Sequence, residues 1–361
     1  MVRSVPNPYF EVFPVAVRRR TLDRNRLKTQ SIRRRPSKVG VRDEARPVEP
    51  GSLFSDFVES LPDVLGAADL RAVIDAWAAA WTRDKTVIWG FGAHLIKVGL
   101  APVVVDLMER GAISALMANG AVCVHDLELA MVGKTSEDVG PALETGDFGM
   151  ARETAEQLNE AVIVGSEQGL GMGEAVGRAI LDGRYPHSGR SVLASAVRLG
   201  IPVTIHTAIG TDIHHMHPSA DGAALGATSY RDFETLAALV SSLQGGVLFN
   251  VGSAVILPEV FLKALSIARN LGHRVDRFTT VDLDFVRQYR PRVNVIERPT
   301  AGGGRGISLV GHHELMVPLL AAGVIEAHSG KKKGVATRSR RGRSAPKGAK
   351  KRSRPAPGRK R

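Results

Sequence analysis

The residues able to do chemistry in this chain are few and grouped. Residues 51–328 hold only four lysines: Lys85, Lys97, Lys134 and Lys263. Four of the eleven histidines fall in one run, HTAIGTDIHHMHP, as His206, His214, His215 and His217. A lysine forms an imine with a carbonyl carbon when its surroundings lower its pKa. A histidine moves protons near neutral pH. A metal ion needs three or four ligands converging at about 2.0–2.2 Å, and the histidine run has the spacing of no zinc motif. Adjacent residues such as His214 and His215 point apart in regular structure. The run is therefore read as the polar lining of a pocket, with a His/Asp metal-dependent hydrolase as an alternative.

The elements that position these residues are read from hydropathy. Short apolar runs at Thr86–Trp89, Ala112–Met117, Pro202–His206, Val247–Val251 and Phe278–Leu283 have the look of strands. Val293–Ile296 and Ile307–Val310 are two further candidates. Small or polar residues follow the runs: Gly90-Phe91-Gly92, Asn119-Gly120, Ile209-Gly210-Thr211-Asp212, Gly252-Ser253 and Asp282-Leu283-Asp284. Helical patterns lie between them, at 94–110, 257–271 and 312–321, and at 52–84 with a break at Pro62. Continuous apolar strands alternating with helices specify an α/β fold, a Rossmann-like parallel sheet with helices on both faces. Ligands of such sheets bind beyond the strand C-terminal ends.

Two glycine-rich segments are weaker signals. Gly165–Ile180 fits neither G-x-G-x-x-G nor a Walker loop, and reads as a helix junction where small residues permit close packing. Thr300–Ser308 is either a loop over the site, with Arg305 reaching a phosphate, or a plain connection. His312-His313-Glu314 reads as a helix N-terminus, with Glu314 suited to the helix dipole.

Composition sets the outer limits. Hydrophobic residues make up 43% and aromatics only 5%, so the core rests on aliphatic packing. No apolar run reaches the length of a membrane span. The net charge of +13 is uneven. Residues 1–50 form a basic N-terminal extension, expected to be partly disordered. Residues 51–328 hold 31 acidic and 21 basic residues. Residues 329–361 hold 15 Lys/Arg and no acid, and are expected to be a disordered tail able to contact nucleic acid without sequence specificity. One cysteine, Cys123, makes no intrachain disulfide. Without a secretory-type apolar stretch at the start, the expected compartment is the cytoplasm.

The blocks GAHLIKVGLAPVVVDLMERGAISALMANGAVCVHDLELAMVG, SVLASAVRLGIPVTIHTAIGTDI, GGVLFNVGSAVILPEVFLKALSIARNLG, VDLDF and GHHELMVPLLAAGVI resemble, in order, segments of the deoxyhypusine synthase family. The likeness spans about residues 50–325. It implies NAD binding, a homotetramer with sites at subunit interfaces, and aminobutyl transfer from a polyamine through an imine on an enzyme lysine. Carried over by position, it implies NAD contacts at Gly92, Ala93, His94, Asn119, Gly120, Asp212, Gly252, Ser253, Asp282 and Asp284. It implies amine contacts at His125 and Asp126, with His214 nearby. The departures are specific. Residues 287–308 contain neither the lysine nor the tryptophan of the family's Trp-Gly-Lys motif. Leu257-Pro258-Glu259 stands where the family has a His-His pair, and Val124-His125 where it has acids. Lys97 and Lys263, on helices beside glycine turns, are the candidate replacement nucleophiles, and His94 and His125 the candidate proton carriers. The reading is thus a deoxyhypusine synthase-like, NAD-dependent transferase or oxidoreductase acting on a polyamine or related amine. The alternative outside catalysis is an NAD-binding protein with nucleic-acid-binding tails.

Overall fold

Continuous apolar runs pair here as parallel strands because both of their faces are covered. The structure, a computed structural model, describes residues 22–341, with side chains described as far as Gly330. The expectations for residues 1–21 and 342–361, including most of the basic C-terminal tail, lie outside the described residues. Residues up to Val41 form a unit of their own. Its one helical turn, Arg24–Arg26, is capped by the Asp23 carboxylate, which accepts from the Asn25 amide. The second unit begins at Arg42 rather than near residue 51. The Arg46 amide donates to the Ser60 carbonyl and its guanidinium to that of Glu59, binding this stretch to the domain.

The elements of the second unit run α1 (Phe54–Ser60), α2 (Leu65–Thr82), β1 (Val87–Phe91), α3 (His94–Lys97), α4 (Ala101–Glu109), β2 (Ala115–Asn119), α5 (Gly120–Val132), α6 (Val139–Thr145), α7 (Arg152–Glu167), α8 (Met172–Asp182), α9 (Val192–Leu199), β3 (Val203–His206), α10 (Gly222–Ser241), β4 (Val247–Val251), α11 (Ile256–Asn270), β5 (Thr279–Asp284), α12 (Tyr289–Pro291), β6 (Arg305–Val310) and α13 (His313–Arg341). The strands form one parallel sheet of order β3-β2-β1-β4-β5-β6. The order reverses between β1 and β4, where open α/β sheets place their ligands.

Packing follows the two-residue period of the strands. Val87, Trp89 and Phe91 of β1 join one core cluster, and Ile88 the other. On the first face Trp77 of α2 packs on Trp89 and Phe249 at ring separations of 5.0 and 4.7 Å. Its indole N–H donates to the Ala112 carbonyl at 2.7 Å, so the polar atom of Trp77 is satisfied on burial. On the second face Leu236 of α10 and Phe261 of α11 cover Ile88 and Leu248. At the edge strand β3, the buried Asp232 carboxylate accepts from the Ile205 and Gly173 amides at 2.7 and 2.9 Å. It thereby occupies a strand amide that has no neighbouring strand.

The structure differs from the sequence reading in three elements and selects between two readings for a fourth. Residues 292–297 form a π-helical segment, not a strand. The helical pattern at 94–110 breaks into α3 and α4 at Gly99, whose φ of +79° a side-chain-bearing residue rarely adopts. Helix α13 crosses the boundary drawn at 329 and runs to Arg341. Thr300–Ser308 is a connection entering β6, which leaves Arg305 at the strand's N-terminal end, away from the ligand edge. Gly165–Ile180 is the expected junction: a Cβ on Gly173 would lie 2.3 Å from the Val203 carbonyl oxygen.

Candidate functional site

Beyond the C-terminal ends of β2 and β3 lies a cavity of about 560 Å³. Lys97 of α3, His125 and Glu128 of α5, Lys134, Thr135 and Asp212 are among its walls. Because α5 starts directly at the end of β2, its residues 121, 124, 125 and 128 share one face at three- and four-residue spacing. That face looks into the cavity.

A chain of hydrogen bonds fixes His125. Thr135 Oγ1 donates to Glu128 Oε2 at 2.5 Å. Glu128 Oε1 accepts from Thr154 Oγ1 at 3.1 Å. The Thr135 proton is thus committed to the carboxylate, and His125 Nδ1, 2.6 Å from Thr135 Oγ1, is the donor in that contact. The lone pair of neutral His125 then resides on Nε2. Burial, and second the nearby Lys97 charge, push His125 down to about 4, so it is unprotonated at neutral pH.

Asp212 stands at the start of α5. A Cβ on Gly120 would come within 2.0 Å of Asp212 Oδ2, so only glycine admits the carboxylate there. Asp212 caps the turn at Ile213–Met216, and the ring of His215 answers by accepting from the amides of Gly210 and Asp212 at 3.1 and 3.3 Å. Asp212 Oδ2 is buried without a hydrogen-bond partner, as is Asn119 Oδ1 at the end of β2. Burial pushes Asp212 up to about 6. His214 is fully buried with neither ring nitrogen bonded, and burial with the adjacent His215 pushes it down to about 4. The rings of His214 and His215 do not point apart as expected: the tight turn brings their centroids to 4.3 Å.

The β4–β6 side of the edge is knitted together instead. Asn250 Nδ2 donates to Asp282 Oδ1 at 2.8 Å and to the Ser253 carbonyl at 3.0 Å. Ser253 Oγ accepts from the Leu257 amide, and Asp284 Oδ1 from the Phe285 amide. Gly92 and Gly252 meet at the reversal point: a Cβ on Gly92 would lie 2.8 Å from the Gly252 carbonyl oxygen. A Cβ on Gly252 would lie 2.5 Å from the His313 ring. His313 Nε2 donates to the Leu283 carbonyl at 3.1 Å, because a carbonyl only accepts. Burial lowers its pKa, and as a neutral ring it accepts at Nδ1 from His94 Nδ1, 2.9 Å away. This contact ties His94, beside the end of β1, to the start of α13.

The structure therefore gathers Lys97, His125, Asn119, Gly120 and Asp212 on one side of the edge, and His94, Gly92, Ala93, Gly252 and Ser253 at its centre. It separates others. Asp126 turns away from the cavity, because it lies outside the helix face made by residues 121, 124, 125 and 128. It is 1% exposed and accepts from Ser191 Oγ at 2.5 Å and from the Val192 and Leu193 amides, capping α9. Its oxygens accept from these three donors and are closed off from an amine in the cavity. Lys263 is exposed on α11 and ion-paired with Glu259, outside the cavity. His206 bonds to Thr204 and His217 to Ser219, so the histidine run is dispersed. Among the described residues no three His, Cys, Asp or Glu side chains group as metal ligands. His313, Thr135 and Glu128 were not singled out as site residues from sequence. The doublet His312-His313 right after a strand end was the one available signal.

No protein-family model matches the sequence, and no curated protein matches it. Solved structures share its arrangement at low identity. The ternary complex of AgrE with ornithine and NAD+ is 15% identical, with a TM-score of 0.47 over 74% of this chain and 34% of that one. A conserved LOR/SDH protein from Methanococcus maripaludis S2 is 14% identical, with a TM-score of 0.48 over 73% and 71%. A deoxyhypusine synthase from Entamoeba histolytica, so assigned provisionally, is 12% identical, with a TM-score of 0.46 over 78% and 96%. The chain spans about a third of the length of the AgrE structures it resembles. Likenesses this distant carry no argument about activity.

Proposed function

We propose that the sheet edge binds NAD and that the chain is a deoxyhypusine synthase-like enzyme acting on a C–N bond of an amine. The observation that carries this reading is the pair of buried, unpartnered acceptors, Asn119 Oδ1 and Asp212 Oδ2. Asp212 lines the cavity and Asn119 ends β2, at the C-terminal edge of a sheet of order 3-2-1-4-5-6, the edge that serves as a dinucleotide platform in such sheets. The hydroxyls of a ribose are donors that match them, and leaving such acceptors bare costs about 1–3 kcal/mol each. The residues therefore fit the nucleoside part of NAD. The Gly92–His94 turn at the reversal point fits the remainder of the dinucleotide.

Bound NAD supplies a hydride acceptor for the carbon next to the reacting nitrogen. The protein's own groups do the rest. Lys97 is the nucleophile of this reading, because it is the candidate lysine that shares the cavity with His125. His125 Nε2, held by the Thr135–Glu128 chain, accepts a proton from the attacking amine and returns it to the departing one. His94 is the second proton carrier of this reading. A homotetramer, as the family resemblance implies, belongs to the same reading.

The test combines NAD+ titration by thermal shift with borohydride trapping in the presence of spermidine or putrescine. The proposal expects an NAD+-dependent rise in melting temperature and a trapped adduct that disappears in Lys97→Ala. A rise without trapping removes the imine step and leaves a non-catalytic or differently acting NAD-binding protein. The absence of both responses contradicts the proposal as a whole.

A further inference from the structure

A second cavity, of about 360 Å³, shares Lys134 with the first. Its basic side chains are Lys134, His187 and Arg190, with no Asp or Glu in the lining. That is unexpected for this region, because residues 51–328 carry 31 acidic against 21 basic residues. Among the described residues, none of the three side chains enters an ion pair. Mutually repelling cations held near one another without a counter-charge favour an anion between them.

The backbone that presents them is fixed. The His187 amide donates to the Ala130 carbonyl at 3.0 Å, and the Arg190 amide to the His187 carbonyl at 2.9 Å. The His187 ring lies against the left-handed Gly133 that ends α5, so that a Cβ there would stand 2.9 Å from Nε2. Ser191, the next residue, is anchored by the buried Asp126. The carboxylate that was expected to hold an amine thus secures the loop bearing Arg190. Gly99 and Pro102, at the start of the nine-residue α4, complete the wall. The positive end of that helix adds a smaller contribution of the same sign.

We propose that this second cavity is a binding site for a phosphate monoester, held by Arg190, Lys134 and His187. An Arg fork matches phosphate oxygens in pairs, and Lys and His supply single N–H donors. Three cationic or donor groups suit a group carrying nearly two negative charges at neutral pH better than a carboxylate carrying one. Two sources share this chemistry: the 2′-phosphate of NADP and a phosphorylated substrate reaching over Lys134 into the first cavity.

The test titrates inorganic phosphate into the full chain by calorimetry at constant ionic strength, alongside Arg190→Gln, Lys134→Gln and the double variant. All carry the same basic termini, whose contribution cancels. All three side chains are exposed, so the substitutions leave the core intact. Each single substitution is expected to weaken phosphate about tenfold, the loss of one charged hydrogen-bonding group, and the double variant to lose it. Equal affinity in the double variant and the parent overturns the site. NADP+ and NAD+ then separate the sources. A preference for NADP+ that vanishes in the double variant assigns the 2′-phosphate. Equal binding of the two dinucleotides, with phosphate still lost in the variants, assigns the substrate. If neither dinucleotide binds but the variants lose phosphate, this site stands and the proposed function fails.

Discussion

Asp212 and Asp282 are both buried at the C-terminal edge of the sheet, and burial pushes each up to about 6. Their neighbourhoods differ. Asp282 receives the Asn250 amide, which also ties down the Ser253 carbonyl. Asp212 Oδ2 receives no hydrogen bond, its polar neighbour His215 Nε2 standing 3.9 Å away. The same contrast extends across the edge. On the β4–β6 side the Asn250 amide donors are satisfied, and Asn250 Oδ1 is the one strand-end side-chain acceptor left bare among the described residues. On the β1–β3 side a carboxylate oxygen of Asp212, the amide oxygen of Asn119 and both nitrogens of His214 are buried without hydrogen-bond partners, and Asp212 lines the larger cavity. A protein that buries unsatisfied groups gives up stability there. Retaining several at one edge, while satisfying similar groups a few strands away, marks the first side for a ligand and the second for architecture.

Substitution separates the two sides, and the largest stability effect belongs to the architectural one. Asn250→Ala strips the donors from Asp282 Oδ1 and the Ser253 carbonyl, and is expected to cost about 3 kcal/mol. Urea unfolding reads this, and NAD+ affinity in the folded variant is expected to stay within about twofold of the parent. A large loss of NAD+ affinity with unchanged stability would reverse the assignment of the two sides. On the open side the effect is on rate. His125→Gln is expected to lower kcat by about 10²-fold with little change in the urea midpoint. Thr135→Val, which removes the positioning hydroxyl, is expected to lower it less and to alter the pH profile of kcat. A pH profile untouched by Thr135→Val would break the relay.

The pH dependence of stability gives a smaller, signed effect. The folded pKa of Asp212 is raised, so its contribution is fully present below about pH 4, the unfolded value, and is lost as pH rises through about 6. Asp212→Asn removes that loss. The variant is expected to gain about 2–3 kcal/mol on the parent between pH 4 and pH 7, measured from urea midpoints at the two values. A difference that does not change with pH removes the argument that Asp212 is held ionised at a cost. The smallest effect belongs to Lys263. Its ion pair with Glu259 is exposed, so Lys263→Ala is expected to change stability by no more than about 0.5 kcal/mol and to leave borohydride trapping intact.

The sheet was legible in sequence because buried parallel strands read as unbroken apolar runs, and each of β1 to β5 lies within a few residues of such a run. The misread stretch, Val293–Ile296, shows the limit: a four-residue apolar run has no period, so a buried π-helical segment and a strand look alike. At the site, single residues at strand ends were legible. Asn119, Gly120 and Asp212 follow apolar runs directly. Pairings were not. His94 and His313 are 219 positions apart, and Asp126 meets Ser191 across 65. Hydrogen bonds between distant segments leave no periodicity in either one. Hence Asp126, placed beside His125 by sequence, was expected at the ligand, whereas helix geometry turns the two residues to different sides.

The central claim is that the unpartnered acceptors of the β1–β3 side are there for NAD. Calorimetric titration of NAD+ into the protein, the Asn119→Ala variant and the Asp212→Ala variant tests it most directly. The account predicts saturable binding to the parent and affinity weakened about tenfold or more in each variant, as loss of a buried acceptor for a ribose hydroxyl requires. Affinity that is absent in the parent, or that is the same in all three proteins, would contradict it.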